Sequence, residues 1–203
     1  VEIPSRHLGL SLDEDFCFEE FADRVAELVE KHVNINRLLE LTKPVATAVV
    51  PISAGRHIYK REPSFPIAVA CDPAFNFVYE ANIRYLHHLG EVTYFSPLAD
   101  TSLPDAGFVY LPGGYPELYL AALSANRQML QSIRRYVESG GKLLAECGGM
   151  MFLTRSLTAR KGGTAYQMTG LLPVDCTMEN ARLHLGYRRI DYQGVSLRGH
   201  EFH

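Results

Sequence analysis

Between residues 65 and 157 the sequence alternates short apolar runs with amphipathic segments, and this alternation constrains the fold more than any other feature. The predicted strands cover residues 65–72, 91–97, 106–114 and 142–147, and the predicted helices cover residues 79–90, 126–141 and 148–157. Strands that alternate with helices are typical of a parallel sheet with helices on both faces. The sequence therefore predicts an α/β protein with a mostly parallel sheet flanked by helices.

The regions before and after this alternation show different sequence patterns. Residues 11–42 carry apolar residues at helical spacing, and Asn34 is placed to cap a second, short helix. Four prolines then fall between residues 43 and 66. Because proline removes a backbone donor and limits helix formation, we predict a linker over residues 46–64. At the other end, residues 183–194 and 195–203 predict two antiparallel strands joined at Gly194.

Composition argues against several classes of function. The 20 basic and 23 acidic residues are well mixed and give a net charge of −3, so no electrostatic footprint for nucleic acid is present. No apolar run approaches membrane-spanning length. The four cysteines show no CxxC spacing, which favours reduced thiols and a cytoplasmic location. We predict no metal site, and the chain has no glycine-rich phosphate loop of the GxxxxGK[ST] type.

Cys147 stands between a predicted strand and the pair Gly148–Gly149. One interpretation is a buried packing residue, because cysteine is among the most buried residue types. The other is a nucleophile on a sharp strand-to-helix turn, with its thiolate stabilised by the helix N-terminus. The glycines leave backbone N–H groups free, and the turn at residues 112–114 offers more, so one N–H from each turn would form an oxyanion hole for acyl transfer through a thioester. For the other three cysteines, Cys17, Cys71 and Cys176, we favour the packing role.

Several motifs together indicate a family. LPGGYPE (residues 111–117) followed by LLAECGGMMFL (residues 143–153) resembles the class I, triad-type glutamine amidotransferases, and within these the cobyrinic acid a,c-diamide synthase branch of vitamin B12 biosynthesis. RHLGL (residues 6–10), DPAFNFVYEAN (residues 72–82) and LGYR with RGHEFH (within residues 185–203) fit the same branch. The resemblance implies a flavodoxin-like amidotransferase fold.

The resemblance also implies a domain organisation. Residues 1–45 would be the C-terminal tail of an ATP-dependent synthetase domain, a helical remnant in this chain. Residues 46–64 would be the linker, and residues 65–203 an amidotransferase domain that is incomplete at its C-terminus. The full-length enzyme would need ATP and Mg²⁺ for its synthetase domain, whereas no cofactor is expected in this fragment.

The resemblance assigns roles to individual residues. Cys147 would attack the side-chain carbonyl of L-glutamine, and Gly114 and Gly148 would supply the oxyanion N–H groups. The released ammonia would reach the synthetase site and attack an ATP-activated carboxylate of the corrinoid. The family's catalytic histidine belongs to a Tyr-x-His segment expected beyond residue 203. His200 and His203 are therefore expected near the site without being the base, and the fragment is expected to be inactive alone.

Other interpretations remain open at this point. One is cobyric acid synthase or another glutamine-dependent ligase. Another, from a different class, is a DJ-1/PfpI-like Cys-elbow hydrolase or chaperone, although the helical segment before residue 45 argues against it. A third is a non-catalytic fragment that serves as a scaffold. The expected partners are L-glutamine and, through the synthetase domain, a corrinoid; a membrane or nucleic-acid partner is not expected, and a homodimer is left open.

Overall fold

A computed structural model describes residues 17–42, 65–159, 162–179 and 181–202, together with the backbone of two short strands, β1 (Ser5–Arg6) and β2 (Gly9–Leu10). The chain divides into two compact units, Val1–His57 and Ile58–His203. The division falls inside the predicted linker, but the assignment of residues 1–45 to a synthetase domain stays a prediction.

Two helices lie in the described part of the first unit. Helix α1 covers Phe18–His32 and helix α2 covers Ile35–Leu41. The side chain of Asn34 accepts a hydrogen bond of 2.9 Å from the backbone N–H of Arg37, which satisfies one of the free donors of the first turn. The predicted cap is therefore confirmed. Strands β1 and β2 pair antiparallel, and residues 11–16 of the predicted helical region lie outside the described residues.

The second unit is built on a four-stranded parallel sheet. Its strands are β3 (Pro66–Ala70), β4 (Glu91–Phe95), β5 (Phe108–Leu111) and β6 (Lys142–Ala145). They lie in the order β4-β3-β5-β6, and every neighbouring pair is parallel. The predicted α/β class with a mostly parallel sheet is confirmed. Each strand is shorter than predicted; β3, for example, ends before Asp72, whose carboxylate draws the following N–H groups into a turn.

Helices cover both faces of this sheet, as predicted. Successive strand residues point to opposite faces, so Ile67 and Val69 pack with Ile83 of helix α3 (Glu80–Leu89) on one side. The other side holds the larger core, which includes residues from α4 (Leu120–Ala125), α5 (Arg127–Glu138) and α6 (Gly148–Phe152). The site described below lies at the carboxyl ends of β5 and β6.

The structure corrects the predicted boundaries after β6. The helix predicted over residues 148–157 ends at Phe152, and strand β7 (Ser156–Thr158) begins soon after. The hydroxyl of Thr154 lies 2.7 and 3.0 Å from the carbonyl oxygens of Met151 and Ser156 and shares its single proton between them. Such local bonds compete with continued helix. The segment after residue 114, for which no element was predicted, forms a 3₁₀ turn at Pro116–Leu118 and then α4.

The remaining strands lie outside the parallel sheet. Strand β7 pairs with β8 (Tyr166–Gln167) and β9 (Asp175–Thr177) in a small sheet. Strands β10 (Leu185–Tyr192) and β11 (Val195–Phe202) form the predicted hairpin. Its turn residues, Gln193 and Gly194, have φ angles of 49° and 79°, the two positive values that a type I′ turn requires. Among the residues described, no helix combines the length and apolar character needed to cross a bilayer.

Candidate active site

The backbone at Cys147 forms a sharp turn between β6 and α6. Its φ and ψ are 48° and −113°, a region that residues with a side chain rarely occupy. Hydrogen bonds hold both flanks of the turn: the N–H of Glu146 donates to the carbonyl of Leu111 at 3.0 Å, and the N–H of Gly149 donates to the carbonyl of Glu146 at 2.8 Å. The strand-turn-helix predicted at Cys147 is therefore present, and the strain falls on the residue that carries the thiol.

Close backbone contacts explain the glycines of this turn. A Cβ added to Gly149 would lie 2.2 Å from the carbonyl oxygen of Leu111, and one added to Gly148 would lie 2.8 Å from Cδ of Pro116. The same Cβ at Gly148 would lie 2.9 Å from the carbonyl oxygen of Gly114. Only glycine allows backbones to approach so closely. The turn after β5 and the turn at Cys147 are consequently packed directly against each other.

The turn after β5 is also fixed on its other side. The N–H of Phe77 donates to the carbonyl of Gly113 at 3.1 Å, and the ring of Phe77 lies edge-on to that of Tyr115, with centroids 5.1 Å apart. A Cβ added to Gly114 would lie 2.1 Å from the carbonyl oxygen of Ala74. The loop after β3 thus packs against the glycine turn at residues 113–114, on the side away from Gly148.

The structure brings the three residues of the predicted reaction site together. A Cβ added to Gly113 would lie 3.4 Å from Cβ of Cys147, and the backbone N–H groups of Gly148 and Gly114 lie close enough to lower the pKa of the Cys147 thiol. His200 lies on β11, exposed and opposite Tyr187 in the hairpin. His203 lies outside the described residues, and no described histidine is among the groups that act on the thiol.

Burial raises the pKa of the Cys147 thiol above its ordinary value of 9.0. The N–H groups of Gly148 and Gly114 lower this pKa, whereas the carboxylates of Glu117 and Glu146 raise it. The raising effects win, so the thiol is protonated at neutral pH. The helix that begins at this turn, α6, has only 5 residues.

Sequence reasoning did not identify a polar network beside the thiol. Tyr110 of β5 is only 3% exposed, and its hydroxyl donates to the Glu146 carboxylate. Burial and the bond to Glu146 raise the pKa of Tyr110, which keeps the phenol protonated as a donor. The sequence did contain one sign of this network: a tyrosine inside an apolar strand, and a glutamate just after the following strand.

The other cysteines differ from one another. Cys176 is half-buried and packs against the larger core, as its predicted packing role requires. Cys17 and Cys71 are exposed, so the prediction that they are buried packing residues is wrong; both follow or precede a regular element rather than lie inside it. All four thiols are free.

Other features of the described residues do not add to this site. No group of three or more potential metal ligands occurs within the described ranges. A groove of about 710 Å³ lies at the amino ends of the strands, where Phe65, Phe108 and Lys142 line it. Because Cys147 follows the carboxyl end of β6, this groove is at the opposite end of the sheet from the thiol.

Comparison with known proteins agrees with the geometry. Residues 66–203 match the family described as the CobB/CobQ-like glutamine amidotransferase domain. The chain belongs to this family. The match confirms the resemblance that the motifs around residues 111–117 and 143–153 indicated, and the parallel sheet flanked by helices is consistent with the family's fold.

Similar curated proteins carry synthase names. The chain is 38% identical to the hydrogenobyrinate a,c-diamide synthase of Stutzerimonas stutzeri and covers 46% of that protein. It is 38% identical to the cobyrinate a,c-diamide synthase of Dehalococcoides mccartyi, strain CBDB1, and again covers 46% of it. It is 39% identical to the hydrogenobyrinate a,c-diamide synthase of Pseudomonas aeruginosa and covers 45%. These alignments include 99–100% of this chain, which therefore spans just under half the length of these relatives.

Proposed function

We propose that this chain is the glutamine-hydrolysing part of a cobyrinate a,c-diamide synthase, supplying ammonia for the ATP-dependent amidation of corrinoid carboxylates in cobalamin biosynthesis. The observation that carries the proposal is the strained turn at Cys147, packed directly against the glycine turn at Gly114. The family and the names of the relatives support the substrate assignment. ATP and Mg²⁺ would act in the synthetase part of such proteins, and the cytoplasmic location and a homodimer stay predictions.

The geometry supports a covalent mechanism. The sulfur of Cys147 attacks the side-chain amide carbon of L-glutamine, a C–S bond forms, and the carbonyl electron pair moves to oxygen. We assign the oxyanion to the backbone N–H groups of Gly114 and Gly148, because these two glycines lie against each other beside Cys147 and both lower the pKa of its thiol. Collapse of this adduct breaks the C–N bond and releases ammonia. Water then hydrolyses the thioester to glutamate and restores the thiol.

The protonation state of Cys147 sets a requirement for this mechanism. Because burial raises the pKa of the thiol, the sulfur must give its proton to a base as it attacks, and that proton then goes to the leaving amide nitrogen. None of the histidines within the described ranges is assigned this role. The single positioned acid–base group that is needed contributes about 10²–10⁴-fold to the rate in other enzymes.

Covalent labelling tests the proposal. The glutamine analogue 6-diazo-5-oxo-L-norleucine should modify Cys147, and excess L-glutamine should protect it. Exposed Cys71 is an internal control, because it should react with iodoacetamide but not with the glutamine analogue. Peptide mass mapping of the unchanged chain and of Cys147→Ala would show this. Modification of Cys71 or Cys176 by the analogue, with none at Cys147, would disprove the assignment of the nucleophile.

A further inference from the structure

A buried tyrosine connects the centre of the sheet to the residue that precedes the thiol. Tyr110 lies in β5 with its ring against Ile67, Val69 and Ile83, and its hydroxyl donates to the carboxylate of Glu146. The phenol thus packs against α3 and links β5 to the end of β6 through its hydroxyl.

The register of the strands shows on which side Glu146 lies. Tyr110 is paired with Leu144 of β6, and Glu146 follows two residues later, so all three side chains lie on the α3 face. Cys147, the next residue, lies instead against the turn after β5, since a Cβ added to Gly113 would lie 3.4 Å from its Cβ. The bond from Tyr110 therefore holds the Glu146 carboxylate on the α3 face, from which its charge still raises the pKa of the Cys147 thiol.

The charges near the thiol come from a small set of described elements. Those that pack most closely against α6 are the 3₁₀ turn, β5, β6 and β7. Their titratable groups are Glu117, Tyr110 and Lys142, to which Glu146 at the end of β6 is added, and β7 has none. Within the described part of the chain, no cationic side chain forms an ion pair with Glu146. The neutral hydroxyl of Tyr110 is consequently its main side-chain partner.

We propose that Tyr110 is a positioning residue for the nucleophile: its hydroxyl holds the Glu146 carboxylate on the α3 face and away from the Cys147 sulfur. This inference rests on the proposed function only in taking Cys147 as the nucleophile. A carboxylate that could move toward the sulfur would oppose formation of the thiolate. The bond from Tyr110 therefore limits the negative charge near the sulfur while it fixes the last residue before the strained turn.

The pH dependence of Cys147 alkylation by iodoacetamide tests this. The chain would carry Cys17→Ser and Cys71→Ser, since both exposed thiols also react, and peptide mass mapping would separate Cys147 from Cys176. Glu146→Gln removes the charge and keeps an acceptor for Tyr110, so the pH midpoint of Cys147 alkylation should fall. Tyr110→Phe should raise this midpoint because it removes the hydrogen-bond donor. Glu146→Asp should also raise it because the shorter side chain brings the carboxylate out of reach of Tyr110. We expect shifts of about 0.5 pH unit, about threefold in thiolate fraction below the midpoint.

Tyr136→Phe provides a matched control. The Tyr136 hydroxyl donates to the carbonyl of Lys142 at 2.9 Å, so it also bonds β6, but at the end remote from Cys147. Tyr136→Phe should lower the thermal stability and leave the midpoint unchanged. In Tyr110→Phe/Glu146→Gln the midpoint should match that of Glu146→Gln alone, because the charge that Tyr110 controls is gone.

Three results would overturn the proposal. The first is an equal shift of the alkylation midpoint in Tyr110→Phe and Tyr136→Phe. The second is an unchanged midpoint in folded Tyr110→Phe, and the third is a lower midpoint in Glu146→Asp. If Tyr110→Phe does not fold, the opposite signs expected for the two variants of exposed Glu146 still decide the question. Alkylation requires no glutamine turnover, so failure here is distinct from failure of labelling by the glutamine analogue.

Discussion

Replacing the cysteine of the strained turn by glycine should stabilise the protein relative to replacing it by alanine. Both variants remove the same sulfur, but alanine keeps a Cβ at φ 48° and ψ −113°, whereas glycine tolerates this conformation. Backbone strain of this kind costs about 1–3 kcal/mol. Glycine loses about 0.5–1 kcal/mol more than alanine through its freedom in the unfolded chain. Cys147→Gly should therefore be more stable than Cys147→Ala by about 1 kcal/mol.

Thermal unfolding followed by circular dichroism would measure this difference. About 1 kcal/mol corresponds to about 2–4 °C in Tm for domains of about 150–250 residues. Ala122→Gly in α4 is the control, because Ala122 is exposed in a regular helix and glycine should there cost about 0.5–1 kcal/mol. An alanine variant at position 147 as stable as the glycine variant, or more stable, would refute the reasoning that the turn stores strain.

Three further outcomes follow from the same structure. Gly149→Ala should cost about 1–3 kcal/mol in urea unfolding, because its Cβ would lie 2.2 Å from a β5 carbonyl oxygen, while Gly199→Ala, with nothing within 4 Å, should be nearly neutral. Asp72→Ala should lower the free energy of unfolding by about 3 kcal/mol, because the Asp72 carboxylate accepts hydrogen bonds from three backbone N–H groups and one hydroxyl. A variant as stable as the unchanged chain would contradict this. Folding raises the pKa of Cys147 and of Tyr110, so the folded state holds these protons more tightly than the unfolded chain. The free energy of unfolding should then fall as pH rises above about 9, less steeply when both residues are replaced by Ala and Phe.

The sheet was predictable because its strands are nearly continuous apolar runs bounded by turn residues. Ile67, Val69 and Leu111 belong to such runs, and strands buried on both faces require this composition. The hairpin was predictable for a local reason as well, since Gly194 is suited to the positive φ of its turn. The end of α6 was not predictable in the same way. The pattern of apolar residues continues past Phe152, and it does not show the bond from the Thr154 hydroxyl to the Met151 carbonyl, which competes with continued helix.

The sequence could predict only those parts of the candidate site that depend on residues adjacent in the chain. The turn at Cys147 could be predicted because a thiol before two glycines at a strand end is a local pattern. The link between Tyr110 and Glu146 spans 36 residues and depends on strand register, which the sequence pattern leaves undetermined. The sign of the change in the Cys147 pKa also depends on tertiary structure, because burial and the Glu117 carboxylate act against the two N–H donors.

The contact between Phe77 and the turn after β5 determines where in the sheet a substrate can lie. The chain winds outward from β3 to β4 and then returns to the other side of β3 for β5, so the winding reverses between β3 and β5. Doubly wound proteins commonly bind their ligands in the crevice at that reversal. Here the backbone of Phe77 bridges the crevice to Gly113, and the ring of Phe77 packs on Tyr115. Cys147 follows β6, one strand further out. In the proposed mechanism a substrate therefore lies beside β5 and β6, and substitutions that reshape its pocket can leave the centre of the sheet unchanged.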